Sequence, residues 1–153
     1  MPTARLRSFL EANNIQYKLI NHLVTFTSRE TAHAAHIPVK RFAKSVIVKI
    51  DGILTMVVIP ADEQLDLRVL RRVTHAKRVE LAAEEEFRGR FPDCEAGAEP
   101  PFGNLYGLPV FIARSLASND PIGFNAGNHH EMVSLPYQTY ERLVSPQAIP
   151  YPC

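Results

Sequence analysis

Two β-branched segments joined by Asp51-Gly52 constrain the fold of this chain more than any other feature. Residues 43–50 contain Val46, Ile47 and Val48, and residues 53–59 return as a second apolar segment. Asp-Gly between two such segments is typical of a type I′ turn, in which both central residues adopt positive φ. The pattern predicts an antiparallel hairpin of two buried strands.

The remaining pattern alternates between helical and extended segments. Helices are predicted at 3–13, from a cap at Ser28 to Pro38, at 67–74 with Asp66 as its cap, at 82–91 and at 137–144. Strands are predicted at 16–23, 77–81, 108–113, 122–126 and 131–135, followed by an extended tail at 145–153. The order is typical of an α+β (mixed α/β) fold with a mixed, largely antiparallel sheet flanked by helices. We expect one domain over 1–153.

Charge limits the class of partner. The chain has 17 Lys+Arg and 16 Asp+Glu, a formal net charge of +1. A protein that wraps long nucleic acid is normally basic, so no DNA partner is expected, although contact with one end of an RNA is compatible with this charge. The beginning of the sequence has no apolar leader pattern and its apolar stretches are strand-sized, so we expect a cytoplasmic protein without membrane contact.

Lys44 stands at the start of the first buried strand. A lysine in this position is commonly a solvated surface residue. The functional alternative is an ammonium that holds a phosphate or carbonyl oxygen beside a cleft. Both interpretations stay open at this point.

A second candidate is the loop Gly97-Ala98-Glu99-Pro100-Pro101-Phe102-Gly103-Asn104, which precedes the apolar segment 108–112. Prolines fix φ and glycines allow close approach of a ligand to the backbone. Such a loop can present amides and carbonyls in a fixed pattern. An ordinary proline-rich turn is the alternative.

Other motifs argue against metal and nucleotide chemistry. Neighbouring side chains on a strand point to opposite faces, so His129-His130-Glu131 is a poor ligand set, and His33 with His36 lacks a further ligand at a recognised spacing. No phosphate-binding glycine motif is present. We therefore predict no metal and no cofactor. Cys94 and Cys153 are too few for a disulfide framework.

Basic residues concentrate around the helix predicted at 67–74. Such a group is commonly a solvated helix face, and it is also suited to a phosphate backbone. Lys40 and Arg41 extend the same candidate patch. The members of the local group are Arg68, Arg71, Arg72, His75, Lys77 and Arg78.

Three short motifs in order resemble those of the YbaK/ProX family, the free-standing relatives of the editing domain in bacterial prolyl-tRNA synthetase. They are Phe42-x-Lys44-Ser45 before a strand, Gly97-x-x-x-Pro101 followed by Phe102-Gly103, and Phe124-Asn125-Ala126-Gly127. The order and spacing of elements are similar over residues 5–144. The resemblance implies a mixed sheet flanked by helices and hydrolysis of the ester that joins a wrong amino acid to tRNA.

The resemblance also implies roles for individual residues. Lys44 would be the catalytic residue, and the Gly97–Pro101 loop would bind the aminoacyl group through its backbone, without a metal. The His129-His130 pair is a candidate contact to the terminal ribose, and which of the two side chains faces the cleft stays open. The full implied substrate-binding set is Phe42, Ser45, Gly97, Ala98, Glu99, Pro100, Pro101, Phe102, Gly103, Gly127 and His130.

The implied partner is the acceptor end of an aminoacyl-tRNA charged with Ala, Cys, Ser or Thr. Candidate tRNA contacts are Lys40, Arg41, Arg71 and Arg72, and an aminoacyl-tRNA synthetase is a second candidate partner. The alternative function is a non-catalytic module of the same fold that binds an amino acid or a tRNA end. A DNA-binding regulator ranks last, because no helix-turn-helix pattern is present.

Overall fold

The computed structural model describes residues 3–25, 27–117 and 120–150, which form an α+β fold. Its α-helices are α1 (Ala4–Ala12), α2 (Ser28–Ala34), α3 (Leu67–Thr74), α4 (Glu84–Phe87), α5 (Arg114–Ala117) and α6 (Tyr137–Val144). Its strands are β1 (Lys18–Asn21), β2 (Ala43–Ile50), β3 (Ile53–Pro60), β4 (Val79–Leu81), β5 (Val110–Ala113), β6 (Ile122–Asn125), β7 (Glu131–Leu135) and β8 (Gln147–Ile149). Short 3₁₀ turns occupy Val39–Arg41, Arg88–Arg90 and Gly103–Tyr106. Within the described ranges, no helix is both long and apolar enough to cross a bilayer.

The predicted hairpin is confirmed. Strands β2 and β3 pair antiparallel from Ala43 opposite Pro60 to Ile50 opposite Ile53. The turn residues Asp51 and Gly52 have φ values of 49° and 82°, the signs that a type I′ turn requires. The pairing therefore brings the end of β3 beside the start of β2.

The strands form two sheets rather than the one that the sequence pattern predicts. A five-stranded sheet has the order β4-β2-β3-β5-β8, in which β3–β5 and β5–β8 are parallel. An antiparallel sheet of three strands has the order β1-β7-β6. Among the described residues, one bridge, between Phe42 and Gly123, joins the two sheets.

Several element boundaries differ from prediction. Strands predicted at 16–23, 77–81 and 108–113 are shortened at one or both ends, and the helix predicted at 82–91 splits into α4 and a 3₁₀ turn. The second helix is capped by Thr27 rather than Ser28. The sequence pattern predicts neither α5 nor β8, which lies within the predicted extended tail and pairs with β5. A three-residue strand between prolines carries no periodic signal, so only its partner β5 identifies it. Residues 151–153 of that tail lie outside the described residues.

Alternating residues of β3 separate the core into two faces. Met56 and Val58 belong to a large cluster with α1, α6 and the Phe102 region, whereas Val57 and Ile59 belong to a cluster beneath α3. The alternation follows from the two-residue period of a strand. Each side chain of β2 is thereby assigned to one side of the sheet.

Helix α6 holds the proline-rich loop through a buried hydrogen bond. The Tyr140 hydroxyl donates to the Pro101 carbonyl at 2.6 Å, and the Tyr140 side chain is completely buried. Its ring also contacts the Phe102 ring, with centroids 5.4 Å apart. These contacts fix the loop against the large cluster.

The Tyr140→Phe variant tests this contact. We expect it to lower the free energy of unfolding by about 1–3 kcal/mol, because the Pro101 carbonyl would stay buried without its donor. Urea unfolding measures the change. Tyr17→Phe is the matched control, since the Tyr17 hydroxyl has no hydrogen bond to any residue in the described ranges. Equal stability of Tyr140→Phe and the wild type would contradict the assigned role.

Candidate active site

Lys44 is placed by the hairpin. It is the second residue of β2 and pairs with Ile59 of β3. Val46 and Val48 follow at two-residue steps and contribute to the cluster beneath α3. Lys44 therefore belongs to the same face of the sheet as those valines.

A cavity of about 210 Å³ opens beside Lys44. It is bounded by the start of α2 and by the segment that follows β3. Antiparallel pairing explains this composition, since the end of β3 lies next to the beginning of β2. The lining residues are Thr27, Ser28, Arg29, Lys44, Ala61, Asp62, Glu63 and Gln64.

The start of α2 is fixed on the cavity wall. The Thr27 hydroxyl accepts a hydrogen bond from the Glu30 amide at 3.1 Å, and the Glu30 carboxylate accepts one from the Thr27 amide at 3.2 Å. This capping box satisfies two amides of the first turn. Arg29 donates to the Asp62 carbonyl at 3.3 Å, which links α2 to the segment after β3.

The Lys44 ammonium lies in an unfavourable electrostatic environment. Partial burial, and then the positive charge of Arg29, lower the pKa of Lys44 below its usual 10.5, while Asp62 and Glu63 oppose the shift. A half-buried lysine with a lowered pKa is a weakly hydrated donor. Such a group can hold a carbonyl or phosphate oxygen more effectively than a surface lysine can.

Two carboxylates add unsatisfied acceptors to the cavity wall. Burial raises the pKa of Glu63, against the effect of the Ser115 hydroxyl, which donates to Glu63 Oε2 at 3.3 Å. Among the described residues, Glu63 Oε1 and Asp62 Oδ1 are buried without a hydrogen-bond partner. Buried polar atoms are normally paired, so these oxygens are available to a bound donor.

The predicted loop is fixed to the segment after β6. The Gly127 amide donates to the Ala98 carbonyl at 3.0 Å, and the Glu95 amide donates to the Gly127 carbonyl at 2.8 Å. The Gly97 amide donates to Glu99 Oε2 at 3.1 Å. Gly97 has a φ of 84°, which an L side chain adopts only with strain. The loop is therefore rigid in the way that its sequence suggests.

The residues of the predicted loop differ in their exposure to solvent. Gly97 is exposed, whereas Ala98, Glu99 and the residues up to Gly103 are buried. Burial also raises the pKa of the Glu99 carboxyl. Within Gly97–Gly103, Gly97 is thus the residue exposed to solvent, and the buried residues fix its position.

His129, rather than His130, lies against this loop. His129 Nε2 is 2.8 Å from the Ala96 carbonyl oxygen, and its backbone amide donates to Glu95 Oε1 at 3.0 Å. His130 is exposed, with Nε2 3.8 Å from Glu131 Oε1. The sequence left open which of the two histidines faces the cleft, with His130 in the predicted substrate-binding set, and the structure places His129 beside Gly97.

The other predicted substrate contacts are not gathered into the Lys44 cavity. Phe42 is completely buried in a third apolar cluster. Ser45 follows Lys44 on β2 and therefore belongs to the opposite face, and its hydroxyl is buried without a partner among the described residues. Gly127 is buried beside Thr3 and Cys94. The described lining of the cavity includes no residue of Gly97–Gly103.

The predicted tRNA contacts lie on two different elements of the fold. Arg71 and Arg72 are exposed on the last turn of α3. Lys40 and Arg41 lie on the 3₁₀ turn before β2, where the Arg41 guanidinium donates to the Asp120 carbonyl at 3.4 Å. They do not line the depression formed by Arg71 and Arg72.

Three residues that line the Lys44 cavity, Arg29, Asp62 and Glu63, were not among the predicted site residues. The signal available for the carboxylates was their position directly after the second strand of the predicted hairpin. Antiparallel pairing requires that position to be near Lys44. Arg29 carried no such signal, because the approach of α2 to the hairpin is a long-range contact.

Cys94 is a poor nucleophile in this fold. Burial raises the pKa of its thiol to about 12, and Sγ lies 3.5 Å from the Tyr106 hydroxyl. The thiolate is therefore disfavoured at neutral pH. Within the part of the chain that the structure describes, no three His, Cys, Asp or Glu side chains are grouped as a metal site.

Similarity to known proteins extends over most of the chain. A family model described as "Aminoacyl-tRNA editing domain" matches residues 22–143. No protein with a curated function matches the sequence.

Solved structures share the fold over nearly the whole chain. A hypothetical protein has a TM-score of 0.82 at 18% identity, covering 94% of this chain and 96% of its own. A "putative trans-editing enzyme for prolyl tRNA synthetase" has a TM-score of 0.81 at 21% identity, covering 94% of this chain and 92% of its own. At these identities the likeness concerns the fold.

The Lys44→Met variant tests the electrostatic environment of the cavity. Below the lowered pKa of Lys44 the ammonium is charged in both the folded and unfolded states, so the full cost of its burial is present. As the pH rises toward 10.5, the folded state releases its proton first and that cost declines. We expect Lys44→Met to raise the free energy of unfolding near neutral pH, with a difference from wild type that narrows at alkaline pH.

Lys49→Met on the same strand is the matched control. The Glu86 carboxylate accepts a hydrogen bond from Lys49 at 3.0 Å and raises the pKa of Lys49. Removing this ammonium should therefore lower stability or leave it unchanged. Denaturant unfolding from neutral to alkaline pH measures both variants. A loss of stability in Lys44→Met at neutral pH would show that its charge is favourably held.

Proposed function

Since the chain belongs to the aminoacyl-tRNA editing domain family, we propose that it is a trans-editing deacylase that hydrolyses the ester of mischarged tRNA. The proposed substrates are tRNAs charged with Ala, Cys, Ser or Thr. The reaction site is the cavity beside Lys44, and cytoplasmic tRNA is the pool on which the protein acts. The observation that carries this proposal is the position of Lys44, half-buried at a strand mouth with a lowered pKa.

Ester hydrolysis needs little chemical machinery. Water adds to the ester carbonyl carbon, the bond from that carbon to the ribose oxygen breaks, and the ribose oxygen takes a proton. The products are a free amino acid and tRNA with its terminal hydroxyl restored. Because an aminoacyl ester is already activated, fixed dipoles and charges that orient the carbonyl and the water supply much of the required acceleration.

Lys44 would stabilise the negative charge that develops on the carbonyl oxygen, or hold the terminal phosphate. Its partial burial strengthens either interaction, because the surrounding dielectric constant is lower than in bulk water. The ribose hydroxyl beside the ester would help to move the proton. We therefore propose a reaction without a metal or cofactor.

Asp62 and Glu63 are suited to bind the α-ammonium of the aminoacyl group. A charged tRNA carries a free α-ammonium, and the unpartnered Asp62 Oδ1 and Glu63 Oε1 can accept hydrogen bonds from it. Lys44 and the two carboxylates, which line the same cavity, would together orient the ester. We propose these two residues as substrate contacts in addition to Lys44.

The Gly97 loop would contribute backbone groups. Gly97 is exposed and held in a positive-φ conformation, and His129 lies beside it. We keep the Gly97–Pro101 loop as the proposed backbone contact, with Gly97 as its accessible residue and Ala98 to Gly103 as its support. A separate hydrolytic site is needed because the pocket in which a synthetase attaches the amino acid cannot strongly reject a smaller or isosteric one. A synthetase is accordingly a proposed partner.

Deacylation assays test the reaction. A panel of tRNAs charged with Ala, Cys, Ser, Thr and Pro is incubated with the wild type, Lys44→Ala and the control Lys49→Ala. We expect selective hydrolysis by the wild type and by Lys49→Ala, and a loss on the order of 100-fold or more in kcat/KM for Lys44→Ala. Absence of hydrolysis by the folded wild type would reject the enzyme and favour a non-catalytic module that binds an amino acid or tRNA end.

A pair of glycine variants tests whether the loop belongs to the site. Gly97→Ala and Gly52→Ala place a Cβ on residues with φ values of 84° and 82°. The added Cβ has no neighbour within 4 Å at Gly52, and it meets His129 Cε1 at 3.7 Å at Gly97. Similar backbone strain, about 1 kcal/mol or more, is expected in both variants. Only Gly97→Ala should reduce kcat/KM, and equal activity of the two variants would exclude the loop from the site.

A further inference from the structure

Helix α3 has one apolar face and one face of arginines. Leu70 is completely buried, and Leu67, Val69 and Val73 pack against the cluster beneath the helix. Arg68, Arg71 and Arg72 occupy the other face at i, i+3 and i+4 spacing, and the Arg68 side chain is 95% exposed. Three guanidinium groups thus project from about one turn of helix.

The positive charge of this face is local to α3. The chain as a whole is nearly balanced, with a net charge of +1, but the eight residues of α3 include no Asp or Glu. Asp66 adjoins the helix as its N-cap, accepting from the Arg68 and Val69 amides at 2.9 and 3.3 Å, and lies 3.8 Å from Arg68 Nε. Exposed helices usually intersperse charges of both signs, so this face is well suited to a polyanion.

Three adjoining surface depressions, beginning with the Lys44 cavity, lead to this face, each sharing one lining residue with the next. Gln64 lines both that cavity and the next depression, which runs from Gln64 to Arg68. Arg68 in turn lines both that depression and the one formed by Arg71, Arg72, His75 and Ala76. The three surfaces therefore adjoin, in the order Lys44 cavity, start of α3, end of α3.

We propose that the arginine face of α3, defined by Arg68, Arg71 and Arg72, binds the phosphate backbone of the tRNA acceptor stem. The proposal rests on the proposed deacylase function, since it places the aminoacylated 3′ end in the Lys44 cavity. The single-stranded 3′ end follows the depression from Gln64 to Arg68, and the duplex begins near Arg71 and Arg72.

The chemistry of the side chains favours RNA as the occupant. Guanidinium groups bind phosphate oxygens with paired hydrogen bonds. An RNA duplex is recognised mainly through its phosphates, 2′-hydroxyls and shape, which requires no reading of base edges. A short basic surface also fits a protein that meets only the end of a tRNA, because its net charge stays close to zero.

Binding of an uncharged tRNA transcript tests the inference without any deacylation. Filter binding is measured between about 50 and 200 mM salt for the wild type and Arg71→Ala/Arg72→Ala. We expect the double variant to bind about tenfold more weakly at low salt, and the slope of log Kd against log salt to fall by about two. Arg71→Lys/Arg72→Lys should retain most of the slope, since the charges remain.

Lys18→Ala/Arg142→Ala is the matched control, because it removes the same charge from two exposed positions outside the depression. Circular dichroism and thermal unfolding check that each variant is folded. Equal tRNA binding by the wild type and Arg71→Ala/Arg72→Ala overturns the proposal and favours an acidic protein as the partner of this face, and absence of tRNA binding by the wild type overturns it as well. A wild type that binds tRNA through these arginines but hydrolyses no ester upholds the surface and rejects the deacylase.

Discussion

The register of the β2–β3 hairpin is the constraint on which the rest of the structure depends. With Ala43 opposite Pro60, the residues after β3 must lie beside the first residues of β2. That proximity brings Asp62 and Glu63 to the same cavity as Lys44. A slip by one residue would move Lys44 to the opposite face and separate it from both the cavity and α3.

The Lys44 cavity combines charges of both signs that are imperfectly neutralised. Burial lowers the pKa of Lys44 and raises the pKa of Glu63, so each group is shifted toward its neutral form. Opposed shifts of neighbouring groups in a cavity are typical of functional sites. By contrast, Lys49 on the same strand has two carboxylates within 3.4 Å and a raised pKa. The two lysines of β2 therefore differ in electrostatic environment, since burial dominates at Lys44 and hydrogen bonding to a carboxylate dominates at Lys49.

The loop around Gly97 illustrates how a largely buried segment can support an exposed residue. Hydrogen bonds from the segment after β6 and from Tyr140 fix its backbone. Phe102 fills the large cluster from within the loop and contacts the rings of Phe9, Phe124 and Tyr140. A rigid backbone of this kind is what recognition by amides and carbonyls requires.

Local chemistry determined a large part of this protein from sequence alone. The Asp-Gly turn determined the hairpin and Asp66 determined the start of α3, because each of these signals lies within a few residues of the feature it controls. The short motifs at Phe42, Gly97 and Phe124 identified the family. Tertiary structure alone decided which distant segments meet. It decided the division into two sheets and the pairing of β8 with β5. It also decided the contact of Arg29 with the segment after β3 and the position of His129, rather than His130, beside Gly97. All of these features join residues that are far apart in the chain. Such contacts depend on how whole elements pack to bury apolar surface, and no local pattern encodes that packing.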